Sequence, residues 1–322
     1  MIKESKVTSQ IPELDWQSMV LLALTMGGIV LSLIRSEAYG WHDSLTLFYV
    51  VIAIIAAVFL IKVERKQKNP LIEFADFSQL LFCAGAMLCF LSGVLSAVAL
   101  FFDPLYLEII RDQSPEVSGL ILFAIPIAVF VTAFIVGWLI SSLGIIPTIL
   151  VGLSMACLAS LLQIFFTNMI SVSYVIVAFV CLGATWAMGN TVSIIAAQQA
   201  VSPGRASVAT GTVVTMFNVG GSIGLAIAVV IYHAVAFSSL THIFQSSATK
   251  LNTAQFDQVA GLIINPAHSL EAPLGGVIHY LFREAFMDGF SGVMWFLLII
   301  SSGIFLSILI WKLRIAKRSR LF

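Results

Sequence analysis

Two amides and two aromatic rings carry most of the chemistry this chain could perform inside an apolar environment. Trp186 and Asn190 fall in one long apolar run, and Phe217 and Asn218 fall in the next. The short loop QQAVSPGRAS, from Gln198, joins the two runs. Asn190 lies fourteen residues before Gly204 and Asn218 fourteen after it. At a rise of about 1.5 Å per helical residue, the two amides are expected at similar depth. An amide buried in hydrocarbon must find a partner. The partner is either a neighbouring helix, in a bond of roughly 0.6–2 kcal/mol, or water and solute in a pathway. The residue types support both readings equally for Asn190 and Asn218. For Gln198 and Gln199, nearer the inner interface, the interhelical bond is the stronger reading. Trp186, Asn190, Phe217 and Asn218 are therefore the candidate solute-lining residues. Gly220, Gly224 and Ala228 follow at four-residue spacing on one helix face. Such a small-residue stripe lets backbones approach closely, so it is expected to pack against another helix rather than lipid. Gly224→Leu should reduce folded yield, and Leu at Ala228, nearer the outer end, should do less harm.

Other chemistries are poorly supported. No Ser/His/Asp, Cys/His or paired-carboxylate constellation falls within the apolar runs, so no enzyme is expected. Cys83, Cys89, Cys157 and Cys181 all lie inside runs, without metal-type spacing. His42, His242, His268 and His279 fall in loops and His233 at a run's end, too scattered for a metal site. The glycines of NVGGSIG follow no strand and so form no phosphate cradle. No metal or cofactor is expected. Asp103 sits at the outer end of the third run and is expected to be solvated. No run carries a charge in its middle third, where an ion-coupled pump usually keeps one.

The elements that must position these residues are membrane helices. The chain is 60% hydrophobic and 10% charged, against about a quarter charged in soluble domains. A crossing takes about 20 apolar residues. Eight runs reach that length, over about 17–35, 44–62, 77–102, 118–140, 144–166, 171–198, 207–235 and 290–312. They are continuous rather than alternating, which argues for helices over a barrel. The expected fold is therefore an all-α integral membrane protein with eight transmembrane helices. Formal net charge is zero, so no bulk field attracts nucleic acid. The partner implied is the lipid bilayer.

Basic residues orient the runs. With both termini inside, the inner side holds Lys3, Lys6, Lys62, Arg65, Lys66, Lys68, Arg205, Lys312, Arg314, Lys317, Arg318 and Arg320. The outer side holds Arg35, Arg111, Lys250 and Arg283. That asymmetry favours cytoplasmic termini. The chain then divides into an N-terminal segment 1–16, a two-span hairpin 17–62, a cytoplasmic linker 63–76, a six-span block 77–313 with an outer loop 236–289, and a basic tail 314–322. Short surface helices are expected in the outer loop. Pro126, in the fourth run, should kink its helix by removing a backbone hydrogen bond.

Several stretches together resemble one family. They are LDWQSM from Leu14, GWHDS from Gly40, NPLIEF from Asn69, DPLYLE from Asp103, SPEVSGLILFAIP from Ser114, and SPGRASVATG from Ser202 leading into NVGGSIGLAIA. In order and spacing they are similar to the later part of the fourteen-span drug–proton antiporters of the major facilitator superfamily. The resemblance implies that the first two spans are a two-helix insertion and the next six the C-terminal bundle. It implies that spans three, four, six and seven face a central cavity, and five and eight the lipid. The chain also departs from the family. The N-terminal bundle, with its antiporter motif and coupling acid, is missing. The loop GWLISSLGII, from Gly137, has Ser141, Ser142 and Ile145 where the family carries an acidic and basic pair and a glycine. Asp103 stands where an apolar residue is usual, and Glu108 where Gln is common.

The function expected on this resemblance is transmembrane efflux of a small-molecule solute or drug. The protein would be an incomplete or half transporter in a bacterial-type inner, or plasma, membrane. Its further partner would be a separately encoded N-terminal half or a second copy of the chain. The alternative is a non-transporting membrane protein, either a decayed remnant or an accessory helical module.

Overall fold

A computed structural model describes residues 16–39, 42–64, 76–246, 252–270 and 275–318. The N-terminal segment, nearly all of the linker and the end of the basic tail lie outside the described residues. The described chain forms α1 (Trp16–Tyr39), α2 (Ser44–Glu64), α3 (Leu80–Leu105), α4 (Pro115–Leu122), α5 (Ala124–Leu143), α6 (Ile145–Ile164), α7 (Val172–Ala200), α8 (Ala206–Ser246), α9 (Thr253–Ile264) and α10 (Gly276–Arg318). Eight helical stretches are long and apolar enough to cross a membrane, with α4 and α5 sharing one of them. The protein is an all-α, multi-pass membrane protein.

Local chemistry explains the breaks. Pro126 has no N–H to offer the carbonyl of Leu122, and the fourth span divides there, between α4 and α5. Ser114 caps α4, its hydroxyl accepting from the Val117 N–H, and Pro115 takes the first helical position. α5 and α6 are joined through Gly144 alone, at φ +87°, a conformation that suits glycine. Ser141 and Ser142 donate to the Trp138 carbonyl of their own helix at 2.9 Å. Asp43 caps α2 by accepting from the Thr46 N–H at 3.1 Å, and pairs with Arg35 at 2.8 Å.

α3 is the hub of the six-span block. It packs against α8, α7, α6 and α10, and is the most enclosed of the spans. α5 and α6 flank α7, and α10 closes the block against α8 and α6. Glycines set the closest approaches. A Cβ on Gly93 would collide with the Phe217 carbonyl, and one on Gly220 with the Phe90 carbonyl. α1 and α2 form an antiparallel hairpin, with α1 also lying along α8.

Two boundaries differ from the sequence-based expectation. α8 runs on to Ser246 and α10 begins at Gly276, where a long outer loop over 236–289 was expected. At about 1.5 Å per residue, these helices of 41 and 43 residues span about 60 Å. That is roughly twice the hydrocarbon thickness, so both continue beyond it. α9 packs against their extensions. Val259 and Ile263 of α9 are fully buried with Phe282 and Phe286 of α10 in the core that also holds α3.

The C-terminal end of α3 is built differently from the rest. One turn of π-helix, Tyr106–Ile110, follows it. The Tyr106 ring stacks on Phe166 and Phe290, with centroids 4.8 and 5.4 Å away. Its hydroxyl donates to the Thr167 carbonyl at 2.8 Å. Arg111 donates to the Ile170 carbonyl at 2.6 Å. Asp112, at φ +51°, pairs with Arg283 of α10 at 2.7 Å. At the opposite end, Arg205 pairs with Asp76 at 2.7 Å, joining the α7–α8 turn to the start of α3.

Candidate functional site

α7 and α8 bring the four solute-lining candidates together on the two sides of one seam. Trp186 and Phe217 stack across it, with centroids 6.4 Å apart and planes 23° from parallel. Both rings are half-buried. A Cβ on Gly189 would meet Ser92, and one on Gly93 the Phe217 carbonyl. Gly189 and Phe217 thus touch adjacent residues of α3. Asn190 and Asn218, each one residue further on, therefore lie at one level of the bundle.

The amides do not bond to each other. Asn190 Nδ2 donates to the Trp186 carbonyl at 3.1 Å, and Asn218 Nδ2 to the Val214 carbonyl at 3.1 Å. Each donor turns back onto its own helix, one turn away. Neither side-chain oxygen has a protein partner among the described residues, so each remains an acceptor. The interhelical amide bond falls at Gln198, whose Nε2 donates to Thr210 Oγ1 at 3.0 Å.

The two long surfaces of the bundle differ in character. On α8, Ser207, Gly211, Val214, Asn218 and Ser222 are exposed at helical spacing. Small and polar residues dominate that stripe. On α5, Leu120 of the preceding turn, Phe130, Phe134 and Trp138 are exposed, and that stripe is wholly apolar. An apolar stripe suits lipid. An exposed amide well inside a span does not, because hydrocarbon offers it no hydrogen bond. The stripe on α8 is therefore suited to water, solute or another protein surface.

The small-residue stripe faces the other way. Gly220 lies on Phe90, and a Cβ on Gly224 would meet Val94 at 2.6 Å, both on α3. Ala228 is fully buried in the core. Ala228 is thus enclosed in the same way as Gly220 and Gly224. α3, expected among the cavity-facing spans, is largely enclosed by its neighbours. The four candidates lie on α7 and α8.

Asp103 requires a further correction. It was expected to be solvated, but it is fully buried, and Gln163 Nε2 lies 3.3 and 3.2 Å from its two carboxyl oxygens. The only sequence signal for this pair was two polar residues in separate apolar runs, each needing a partner. A cleft of about 400 Å³, lined by Glu108, Asp112, Gln113, Ser114 and His279 among others, shares no residue with the four candidates. Among the described residues no cluster of three His, Cys, Asp or Glu could hold a metal.

Comparison with known proteins places this arrangement. The model of the Major Facilitator Superfamily matches residues 16–225. Multidrug resistance protein Stp of Mycobacterium tuberculosis is 27% identical over 216 residues, covering 66% of this chain and 40% of Stp. The tetracenomycin C resistance and export protein of Streptomyces glaucescens is 28% identical over 215 residues, covering 66% of this chain and 40% of that protein. The chain therefore matches about 40% of the length of these relatives. In fold it is similar to a bacterial homologue of the human lysosomal transporter Spinster, solved inward-facing and unoccupied. The TM-score is 0.50 at 14% identity, covering 89% of this chain and 67% of that one. With more than half its length matched by the family model, the chain belongs to the Major Facilitator Superfamily, a family of membrane transporters rather than enzymes.

Proposed function

We propose that these 322 residues supply the C-terminal six-helix bundle and the two-helix insertion of a drug-efflux transporter. The solutes exported are apolar or amphipathic small molecules, which the Trp186–Phe217 pair stacks against and the amide oxygens of Asn190 and Asn218 orient. The observation that carries this reading is the exposed polar stripe of α8, with Asn218 at its centre. Lipid offers the Asn218 amide oxygen no hydrogen bond, whereas a pathway between two bundles supplies water and solute. Alternating access in such folds works by rocking one bundle against another around a site near the midplane. The facing bundle comes from outside these residues, as an N-terminal half or as a second copy of the chain. The resemblance to drug–proton antiporters supports a proton gradient as the driving force. The twelve-to-four distribution of basic residues supports a plasma-membrane protein with both termini in the cytoplasm.

Cysteine accessibility tests the reading directly. In a background lacking the native four cysteines, Asn218→Cys and Ser222→Cys in native membranes should react with a small water-soluble thiol reagent. A lipophilic cationic dye should slow that reaction. Phe130→Cys and Phe134→Cys, on the apolar stripe, should stay unreactive. Equal shielding of all four positions from water would place the α8 stripe in lipid and refute the proposal.

A further inference from the structure

We propose that Asp103 and Gln163 form a proton-exchange site at the outer end of the α3–α6 seam, where one carboxyl binds and releases a single proton while staying hydrogen-bonded to the same amide. The inference goes beyond the transport reading and does not depend on it.

The geometry is unusual for a membrane carboxyl. Asp103 is 0% exposed and Gln163 2% exposed. A single amide nitrogen forks to both carboxyl oxygens. Asp103 has no ion pair among the described residues. From its own segment, Tyr106 is within electrostatic reach, and Arg111 in turn reaches Tyr106. Their hydrogen bonds, however, run to the Thr167 and Ile170 carbonyls. From α7, Tyr174 packs on Phe166 and donates to the Leu162 carbonyl. From α8, Tyr232 stands beside Phe102. His233, next to it, contacts the Ile263 carbonyl. From α10, Arg283 is engaged with Asp112 and the Ile110 carbonyl. Among the described residues no cation is committed to Asp103, so no ion pair holds it as a carboxylate.

Gln163 is the kind of partner that serves both states. An amide carries two N–H donors and one carbonyl acceptor on a single rotatable plane. With its NH₂ forward, it donates to both oxygens of a carboxylate. When a proton arrives on one carboxyl oxygen, the amide turns so that its carbonyl accepts the new O–H. Its N–H then donates to the other carboxyl oxygen, closing a cyclic pair. The proton comes from water at the outer side and returns there, and no other bond forms or breaks. A lysine or arginine in this position would hold only the carboxylate, because it cannot accept. A π-turn, a feature frequent at functional sites, begins at Tyr106 beside the pair.

Infrared difference spectroscopy on the purified chain in lipid nanodiscs tests this. On titration from mildly acidic to alkaline pH, the wild-type spectrum should lose one carboxylic-acid carbonyl band. Asp103→Asn should lack that change. Gln163→Leu should keep it at higher frequency, because the carbonyl has lost a hydrogen bond. If Asp103→Asn gives no folded protein, carbon-13 aspartate labelling of wild type and Gln163→Leu decides. Asp103 is the described aspartate bonded to Gln163, so the titrating band must move between those two proteins. A titrating band that persists unaltered in Asp103→Asn or fails to shift in Gln163→Leu, or a wild-type spectrum with no titrating aspartate band, would overturn the proposal.

Discussion

Gly220 leaves no room for a side chain, because the carbonyl of Phe90 occupies the position where a Cβ would stand. A backbone carbonyl cannot swing aside as a flexible side chain can. Gly220→Ala should therefore push α8 away from α3 and cost about 1–3 kcal/mol, the usual range for overpacking. Gly211, nine residues earlier on the same helix, has nothing within 4 Å of its missing Cβ. Gly211→Ala should leave folded yield unchanged or slightly higher, since alanine favours helix. Fluorescence-detected size-exclusion of the two variants makes the comparison, and equal yields would contradict the close α3–α8 contact. The four-residue spacing made this stripe legible in the sequence. The identity of the facing helix was not legible, because Phe90 and Val94 carry no signal of their own. The burial of Asp103 was hidden for a related reason. Position along a run gives depth, but not which neighbour covers a side chain, and Gln163 is 60 residues away.

The elements themselves were the most readable part of the chain. Lipid forces backbone groups to pair within a segment, so an apolar run of sufficient length can hardly be anything but a helix. The division of the fourth span near Pro126 follows from the same backbone bookkeeping. The C-terminal end of α8 and the N-terminal end of α10 were not readable, because hydropathy marks the bilayer and falls silent where a helix continues beyond it. Asp43 shows how one such end is held. It caps α2 through Thr46 and pairs with Arg35 of α1. Its carboxyl is held below the ordinary aspartate range, first by the hydrogen bond from Arg35, then by the Thr46 N–H. A depressed carboxyl contributes above its unfolded value, about 3.9, and the contribution is lost as pH falls through the lower folded value. The hairpin clasp should therefore be indifferent to pH from about 5 to 8 and weaken only in strong acid. Asp43→Ala removes cap and pair together, so amides at the start of α2 should exchange with solvent several-fold faster. Arg35→Ala leaves the cap and should change them less. Indistinguishable exchange in the two variants would show that the cap contributes nothing.

At the scale of the whole molecule, the bundle has a lipid-suited surface on α5 and a polar one on α8. The apolar surface was foreseeable from composition. The polar stripe was foreseeable only in part, since Asn190 and Asn218 could have bonded to each other. Each instead donates to its own helix, which leaves two amide oxygens without a partner among the described residues, beside the half-buried Trp186–Phe217 stack. The central claim is that this bundle transports only when a second one faces the α8 stripe. The direct test is dye movement in proteoliposomes holding the purified chain at a density that keeps it monomeric, with a proton gradient of either sign. The account predicts no movement above empty vesicles. Movement should appear when a six-helix N-terminal bundle is co-reconstituted, or when density drives the chain to pair with itself. Uncoupler-sensitive transport by the monomer would contradict it.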